Sequence, residues 1–154
     1  MADSTVCDMS PVTAVIPAAD VPGVCFPIDS MRGITFVSAH PKSPMRGCRE
    51  WSAGIIGLGE LATTQKQGDI TVVLGDLNSG TDHPSFRKLL NAGFKDAALC
   101  EAKGRHATFP SWLPWPRIIL DHVLFTKGLD ASDVSSFCVE GSDHLALVAT
   151  LTLK

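Results

Sequence analysis

The chain has 154 residues, of which 45% are hydrophobic and 19% are charged, and its formal net charge is -3 at pH 7. This composition fits one globular domain with a core of its own and excludes a disordered chain. The small negative charge provides no basic surface for a nucleic-acid coat protein. It does not exclude an enzyme that meets phosphate through a metal ion, because the ion supplies the local positive charge.

The first half of the chain predicts a hairpin, a helix and a buried strand. Residues 24–28 and 33–38 are two β-prone runs separated by a short turn. The prolines that follow, at residues 40–44, indicate a loop. Apolar positions then recur at helical spacing over residues 46–65, although glycines weaken this pattern. Residues 69–74 predict a strand with buried side chains.

The second half predicts one more helix and three strands. Thr81 or Asp82 is expected to cap a helix over residues 85–91, with Pro84 in its first turn. The Leu and Val density of the final segment is that of a strand with at least one buried face. The three strands are predicted at residues 118–125, 132–139 and 145–153.

The termini and the cysteines suggest a cytoplasmic protein. Residues 1–22 lack clean periodicity and are predicted to be a poorly ordered leader or a remnant of structure, followed by one incomplete domain over residues 23–154. No apolar run reaches the roughly 18 residues of a membrane span. The first basic residue, Arg32, comes too late for a signal peptide, although an export signal or anchor missing upstream would change this expectation. The five cysteines are scattered and are expected to be free thiols.

Three apolar strands border short polar clusters of the kind that handles metal and phosphate. The clusters are Gly75-Asp76-Leu77-Asn78, Asp121-His122 and Ser142-Asp143-His144. A carboxylate inside a strand needs a partner, because burying an unpaired charge costs several kcal/mol. For Asp121 the expected partner is a histidine from a neighbouring strand. Meeting at strand ends, these groups would hold a divalent cation and activate a water against phosphorus.

Each cluster also has a simpler interpretation when it is taken alone. The Gly-Asp-Leu-Asn segment is a good turn sequence. Asp121 and His122 fit a buried structural ion pair, and the segment around Asp143 fits a turn that begins a strand. These interpretations do not explain why all three clusters occur in one chain in this order.

The order of the motifs resembles that of the endonuclease/exonuclease/phosphatase (DNase I-like) superfamily. The resemblance rests on ITFVSAHPKSP, VVLGDLNS, PRIILDHVLFT and GSDHLALVATL, and it covers residues 23 to the C-terminus. The superfamily includes nucleases, sphingomyelinases and inositol-polyphosphate phosphatases. The resemblance implies an α/β fold that is part of a two-sheet sandwich with mixed strands. It also implies a phosphoester substrate, which would be a nucleic acid, a phospholipid or a small phosphate ester.

The same resemblance implies the roles of the catalytic residues. Asp76 is similar to the carboxylate that deprotonates the attacking water, and Asn78 to the side chain that holds this water or a phosphate oxygen. His144 is similar to the histidine that contacts the scissile phosphate, and Asp121 to its buried partner. His40 is similar to the histidine that protonates the leaving oxygen.

The resemblance also implies a metal cofactor, Mg²⁺ or Mn²⁺. Asp143, Asp76 and Asn78 are the ligands that it indicates. The family's principal metal ligand is a glutamate near the N-terminus, and this chain has no glutamate before Glu50. The chain is therefore expected to be truncated, and poorly active, aggregation-prone or dependent on a partner, with self-association through exposed sheet edges. The alternative is a catalytically inactive remnant, or a phosphate-binding module of the same fold.

A proline-rich segment precedes the Asp121 strand and carries Trp112 and Trp115. In the superfamily this region forms a substrate-facing loop. Its tryptophans would stack on a base or touch lipid. The alternative is that they cover the core.

Overall fold

A six-stranded mixed sheet lies at the centre of the structure. The structure is a computed structural model and describes residues 10–13, 16 and 19–154. The strands are β1 (Ser10–Thr13), β2 (Ala19–Asp20), β3 (Pro22–Pro27), β4 (Gly33–Ser38), β5 (His40–Pro41), β6 (Ile70–Asp76), β7 (Lys95–Asp96), β8 (Asp121–Phe125), β9 (Leu129–Cys138) and β10 (Leu145–Leu153). The helices are α1 (Cys48–Gly57), α2 (Glu60–Thr63), α3 (Pro84–Asn91) and α4 (Ala97–Glu101), with a 3-10 turn at Pro44–Arg46.

The central sheet has the order β1-β3-β4-β6-β8-β7. Among the strands that the structure describes, only the β4–β6 pair is parallel. Helices α1 and α2 lie in the connection between these two strands. Strands β9 and β10 form a separate antiparallel sheet, and β2 pairs with β5 in a short third ladder. This architecture confirms the predicted fold class, an α/β fold with two sheets and mixed strands.

Two hydrophobic clusters pack on opposite sides of the central sheet. One joins the sheet to α1 and α3 and includes Ile55, Phe86 and Val73. The other joins the sheet to β9 and β10 and includes Val72 and Phe125. Val72 and Val73 point to opposite faces because side chains alternate along a strand. The central sheet is therefore covered by helices on one face and by the second sheet on the other.

Several elements form where the sequence predicts them. Strands β3 and β4 form the predicted antiparallel hairpin. Asp29 stabilises its turn, because Oδ1 accepts hydrogen bonds from the backbone N–H groups of Met31 and Arg32. The predictions of β6 and β10 are also confirmed. Among the described residues no helix is long and apolar enough to cross a bilayer.

Other predictions need correction. The helix predicted over residues 46–65 is two helices, α1 and α2, separated at Leu58 and Gly59. The cap of α3 is His83 and neither Thr81 nor Asp82. Strand β8 begins only at Asp121, because Ile118 instead forms an isolated bridge with Phe109 and closes the loop between them.

The segment predicted as a leader lies partly outside the described residues, which exclude 1–9, 14–15 and 17–18. Within it, β1 pairs with β3 at one edge of the central sheet. The division of the chain at residue 22 stays a prediction. Four cysteines are free thiols, and the fifth, Cys7, is outside the described residues.

Gly75 allows a close approach between β6 and the segment after β4. Its φ of +144° lies in a region that residues with a side chain rarely adopt, and a Cβ there would meet the Ala39 carbonyl oxygen at 2.1 Å. The backbone of Ala39 also donates a hydrogen bond to the carbonyl of Leu74 at 2.8 Å. Glycine at this position therefore holds the chain before His40 against the end of β6.

We predict that Gly75→Ala destabilises the protein by about 3 kcal/mol or more, because strained φ and a backbone clash act together. Gly104→Ala is a matched control, since Gly104 has nearly the same φ of +145° but open space where the Cβ would lie. The control should lose only about 1–2 kcal/mol. Urea unfolding of both variants measures the difference, and equal losses would show that the Ala39 contact is unimportant.

Candidate active site

The pairing of β6 with β8 brings two of the predicted carboxylates to one edge of the sheet. Asp76, the last residue of β6, lies directly opposite Asp121, the first residue of β8. His144 comes just before β10 in the second sheet, and His40 begins β5. The predicted catalytic residues therefore come from four different strands or strand ends, which meet at this edge.

His144 and Asp121 are joined by a short hydrogen bond. Nδ1 of His144 lies 2.7 Å from Oδ2 of Asp121. Since a carboxylate oxygen accepts, Nδ1 donates the proton, and Nε2 of the ring is the atom that faces the site. The ring of Phe109 packs against that of His144 with centroids 4.8 Å apart. These contacts fix the orientation of the imidazole.

Thr108 is a positioning residue that the sequence analysis missed. Its hydroxyl donates to the same Asp121 Oδ2 at 2.5 Å, and its side chain is fully buried. Its carbonyl accepts the backbone N–H of Leu145, the residue after His144, at 2.9 Å. Thr108 therefore supports both members of the Asp121–His144 pair. Its signal in the sequence is weak, because it lies in an irregular segment that no motif marks.

Asp76 lies between two imidazole rings. Its Oδ2 is 3.8 Å from Nε2 of His144 and 3.7 Å from Nε2 of His40. Its Oδ1 accepts the backbone N–H of Asn78 at 2.7 Å, which fixes the carboxylate at the end of the strand. The side chain of Asp76 is mostly buried, whereas that of His40 is 73% exposed. One carboxylate oxygen is thus held by the backbone and the other faces both histidines.

Asn78 is held in a turn that has a left-handed backbone. Its φ is +49°, a conformation that asparagine adopts more readily than most residues. Its Nδ2 donates to the carbonyl of Pro41 at 3.3 Å, and its own carbonyl accepts from the indole of Trp51 at 3.1 Å. The Oδ1 atom of Asn78 is therefore the part of this amide that remains to meet a ligand.

The surroundings raise the pKa of two of these groups. Burial raises the pKa of Asp76, and the charge of Asp121 adds to this effect, against the opposing hydrogen bond from Asn78. For His144, burial acts to lower the pKa. The hydrogen bond and charge of Asp121, with the charges of Asp76 and Asp143, outweigh burial and raise it. The site thus favours a proton on His144 and makes Asp76 a stronger base than an exposed aspartate.

The predicted metal ligands do not form a closed metal cage. Asp143 is exposed, whereas Asp76 is mostly buried. In the part of the chain that the structure describes, no three His, Cys, Asp or Glu side chains group so as to hold a metal ion. Asp76 and Asn78 offer oxygen atoms, which suit an ion that completes its shell with water and substrate oxygens, as Mg²⁺ does. The assignment of all three ligands stays a prediction.

His122 lies on the opposite face of β8 from Asp121 and makes other contacts. Its Nδ1 is 2.5 Å from Oδ2 of Asp96, and its Nε2 is 2.7 Å from the carbonyl of Ser79. The ring also stacks on Phe86 and is buried. The simpler interpretation of an Asp121–His122 ion pair is therefore wrong, because consecutive strand residues face opposite ways. His122 instead supports the turn after β6.

Comparison with known proteins assigns the family. The sequence model of the endonuclease/exonuclease/phosphatase family matches residues 6–144. This chain therefore belongs to the endonuclease/exonuclease/phosphatase family, as the resemblance of its motifs predicts. No curated protein matches the chain.

Solved structures share its fold at low sequence identity. A family protein from Leptotrichia buccalis is 15% identical with a TM-score of 0.68, and the match covers 97% of this chain and 62% of that one. A mannosyl-6-phosphatase from Bacteroides thetaiotaomicron is 15% identical with a TM-score of 0.65, covering 88% and 57%. D. rerio TDP2, complexed with single strand DNA product, is 14% identical with a TM-score of 0.69, covering 94% and 67%. The chain thus spans 57–67% of the length of these three structures.

We predict that Thr108→Val destabilises the protein by about 1–3 kcal/mol, because it removes a buried hydrogen-bond donor from the Asp121 carboxylate. Thr152→Val is the control, since Thr152 lies exposed on β10, where valine is well tolerated. Its effect should stay within about 0.5 kcal/mol. Thermal or urea unfolding measures both. If the two variants are equally stable, Thr108 does not support Asp121.

Proposed function

We propose that this chain is a phosphoester hydrolase whose chemistry takes place around Asp76. The observation that carries the proposal is the position of Asp76 Oδ2, which lies within 3.8 Å of two imidazole nitrogens. One of these rings is oriented by Asp121. Two histidines and a carboxylate in this arrangement can take up and deliver protons on either side of a reacting phosphorus.

Asp76 is the proposed general base. A raised pKa brings a carboxylate closer to neutral pH, where a base both exists in its ionised form and accepts a proton effectively. It would take a proton from the attacking water. Asn78, held by Pro41 and Trp51, would position this water or a phosphate oxygen through its Oδ1.

His144 and His40 are the proposed proton donors. With Nδ1 of His144 bound to Asp121, its Nε2–H would donate to a phosphate oxygen and stabilise the charge that builds up there. His40, which is exposed beside Asp76, would protonate the leaving oxygen. Both rings approach Asp76 Oδ2 through Nε2, but only His144 has its other nitrogen bound to a carboxylate, so the two histidines are suited to different roles.

A divalent cation, Mg²⁺ or Mn²⁺, is the proposed cofactor. Asp76, Asn78 and Asp143 would hold it, and it would supply positive charge against the phosphate oxygens. Because the protein offers few ligands in the described residues, we expect weak binding that substrate strengthens. The substrate class is a nucleic acid, a phospholipid or a small phosphate ester. The sugar phosphatase and the DNA-bound protein among the relatives favour this broad class.

The second candidate function is a phosphate-binding module without turnover. One observation favours it, the lack of a three-residue metal-binding group among the described residues. A hard-cation site with too few carboxylates binds its ion weakly, so the catalytic groups would be present without effective metal.

We predict that the purified chain hydrolyses bis-p-nitrophenyl phosphate with Mg²⁺ or Mn²⁺, and that EDTA abolishes this turnover. His144→Ala and Asp76→Asn should each lower the rate at least about 100-fold, as loss of a general acid or base does. The melting temperature of Asp76→Asn at pH 8 should be no lower than that of the parent chain. The reason is that burial disfavours the ionised carboxylate, which this substitution removes.

The control variant for this assay is Asp133→Asn, on β9 away from the site. It should keep the parent rate. Folded protein without any turnover would contradict the hydrolase and support the binding module. Turnover that survives His144→Ala would contradict the assignment of the site.

A further inference from the structure

The loop between Phe109 and Ile118 exposes an unbroken apolar run. Residues 112–116 are tryptophan, leucine or proline, and all five are exposed. Trp112 is 65% exposed, Leu113 39% and Trp115 82%. A contiguous exposed apolar run is unfavourable in water and marks a surface that binds a partner. We call residues 109–118 the tryptophan loop.

The tryptophan loop is braced, so its tip has a defined position. The side chain of Arg117 donates to the carbonyls of Pro110 and Ser111 at 3.2 and 2.9 Å. The backbone N–H of Ser111 donates to the carbonyl of Asp143, and its hydroxyl donates to the carbonyl of Ser142. The loop is thereby tied to the segment that carries His144.

Two ring contacts connect the tip of the loop with the active site. Trp112 packs edge to face on Phe109 with centroids 5.9 Å apart. Phe109 in turn packs on His144. A surface that receives Trp112 would therefore lie beside the catalytic histidine.

The segment that carries the loop differs in charge from the whole chain, while the exposed Asp143 lies in the neighbouring segment that accepts a hydrogen bond from Ser111. Residues 102–120 contain Lys103, Arg105 and Arg117 and no aspartate or glutamate, in a chain of net charge -3. Arg105 and Arg117 line one recess of about 310 Å³ together with Trp115. Lys103 is paired with Glu101, whereas Arg105 and Arg117 line the recess beside Trp115. This combination attracts an anionic partner with an apolar interior.

We propose that the tryptophan loop is an anchor for an anionic lipid surface. Tryptophan is enriched at membrane interfaces, and moving apolar side chains from water into the lipid boundary is favourable. The bases of a single-stranded nucleic acid could stack on Trp115, and its phosphates could bind the arginines. Leu113 and the prolines would make no comparable contact, because they have no aromatic face on which a base can stack.

The inference rests on the proposed function in one respect, the substrate. An anchored loop places His144 at the lipid surface, so the phosphoester that reaches the site would be part of a lipid headgroup. Anchoring itself needs no turnover. The two ideas can therefore fail separately.

The test is binding of the full chain to phosphatidylcholine vesicles with and without 30% phosphatidylserine, followed by sedimentation and tryptophan fluorescence. We expect binding and a blue shift with the anionic vesicles. The double variant Trp112→Ser/Trp115→Ser should bind at least tenfold more weakly, and Arg105→Gln about fivefold more weakly. Met45→Ser is the control, because Met45 is 95% exposed outside the loop, and it should bind like the parent chain.

Binding that the loop variants leave unchanged would overturn the proposal, and so would the absence of binding to either kind of vesicle. Quenching of tryptophan fluorescence by a thymidine 20-mer, without a response to vesicles, would overturn it in favour of nucleic acid. A chain that hydrolyses bis-p-nitrophenyl phosphate but ignores vesicles would overturn only the anchor. A chain that binds vesicles without hydrolysis would overturn only the hydrolase.

Discussion

The candidate site depends on two carboxylates that face each other across an antiparallel strand pair. The register of β6 on β8 places Asp76 opposite Asp121, so each must find its own partner. Asp121 accepts from His144 and Thr108. Asp76 accepts from the backbone of Asn78 and faces the histidines. Burial raises the pKa of Asp76, and the charge of the facing Asp121 adds to this effect. For His144, burial acts to lower the pKa, but the hydrogen bond and charge of Asp121 outweigh it and favour a proton on the ring.

The arrangement is unfavourable for stability and suits a catalyst. Because folding raises the pKa of Asp76, the folded protein is more stable when this carboxyl is protonated. That stability is lost as the pH rises through the folded pKa of Asp76. Gly75 adds a backbone conformation that few residues adopt, and so brings the segment before His40 against β6. Perturbed carboxylates and strained positions cluster where a protein acts on a ligand. Both features occur here within two consecutive residues.

The resemblance of the motifs to a known family predicts the fold class. Local patterns predict the hairpin, β6 and β10, because periodicity and turn residues are local signals. The meeting of Asp76, Asp121 and His144 could be anticipated only from the order of the motifs. The support from Thr108 could not, since it depends on a contact between distant, irregular segments. The separation of Asp121 from His122 could have been foreseen, because neighbours on a strand point to opposite faces.

The most direct test of the coupled Asp76–Asp121–His144 site is the pH titration of the His144 ring by NMR in the metal-free protein. The His144→Gln variant identifies its signal among the five histidines. We expect a pKa above the ordinary histidine value of about 6.5. It should fall in Asp121→Asn, which loses the charge that holds the proton. A pKa at or below the ordinary value, unchanged by Asp121→Asn, would contradict the coupled carboxylate–histidine site.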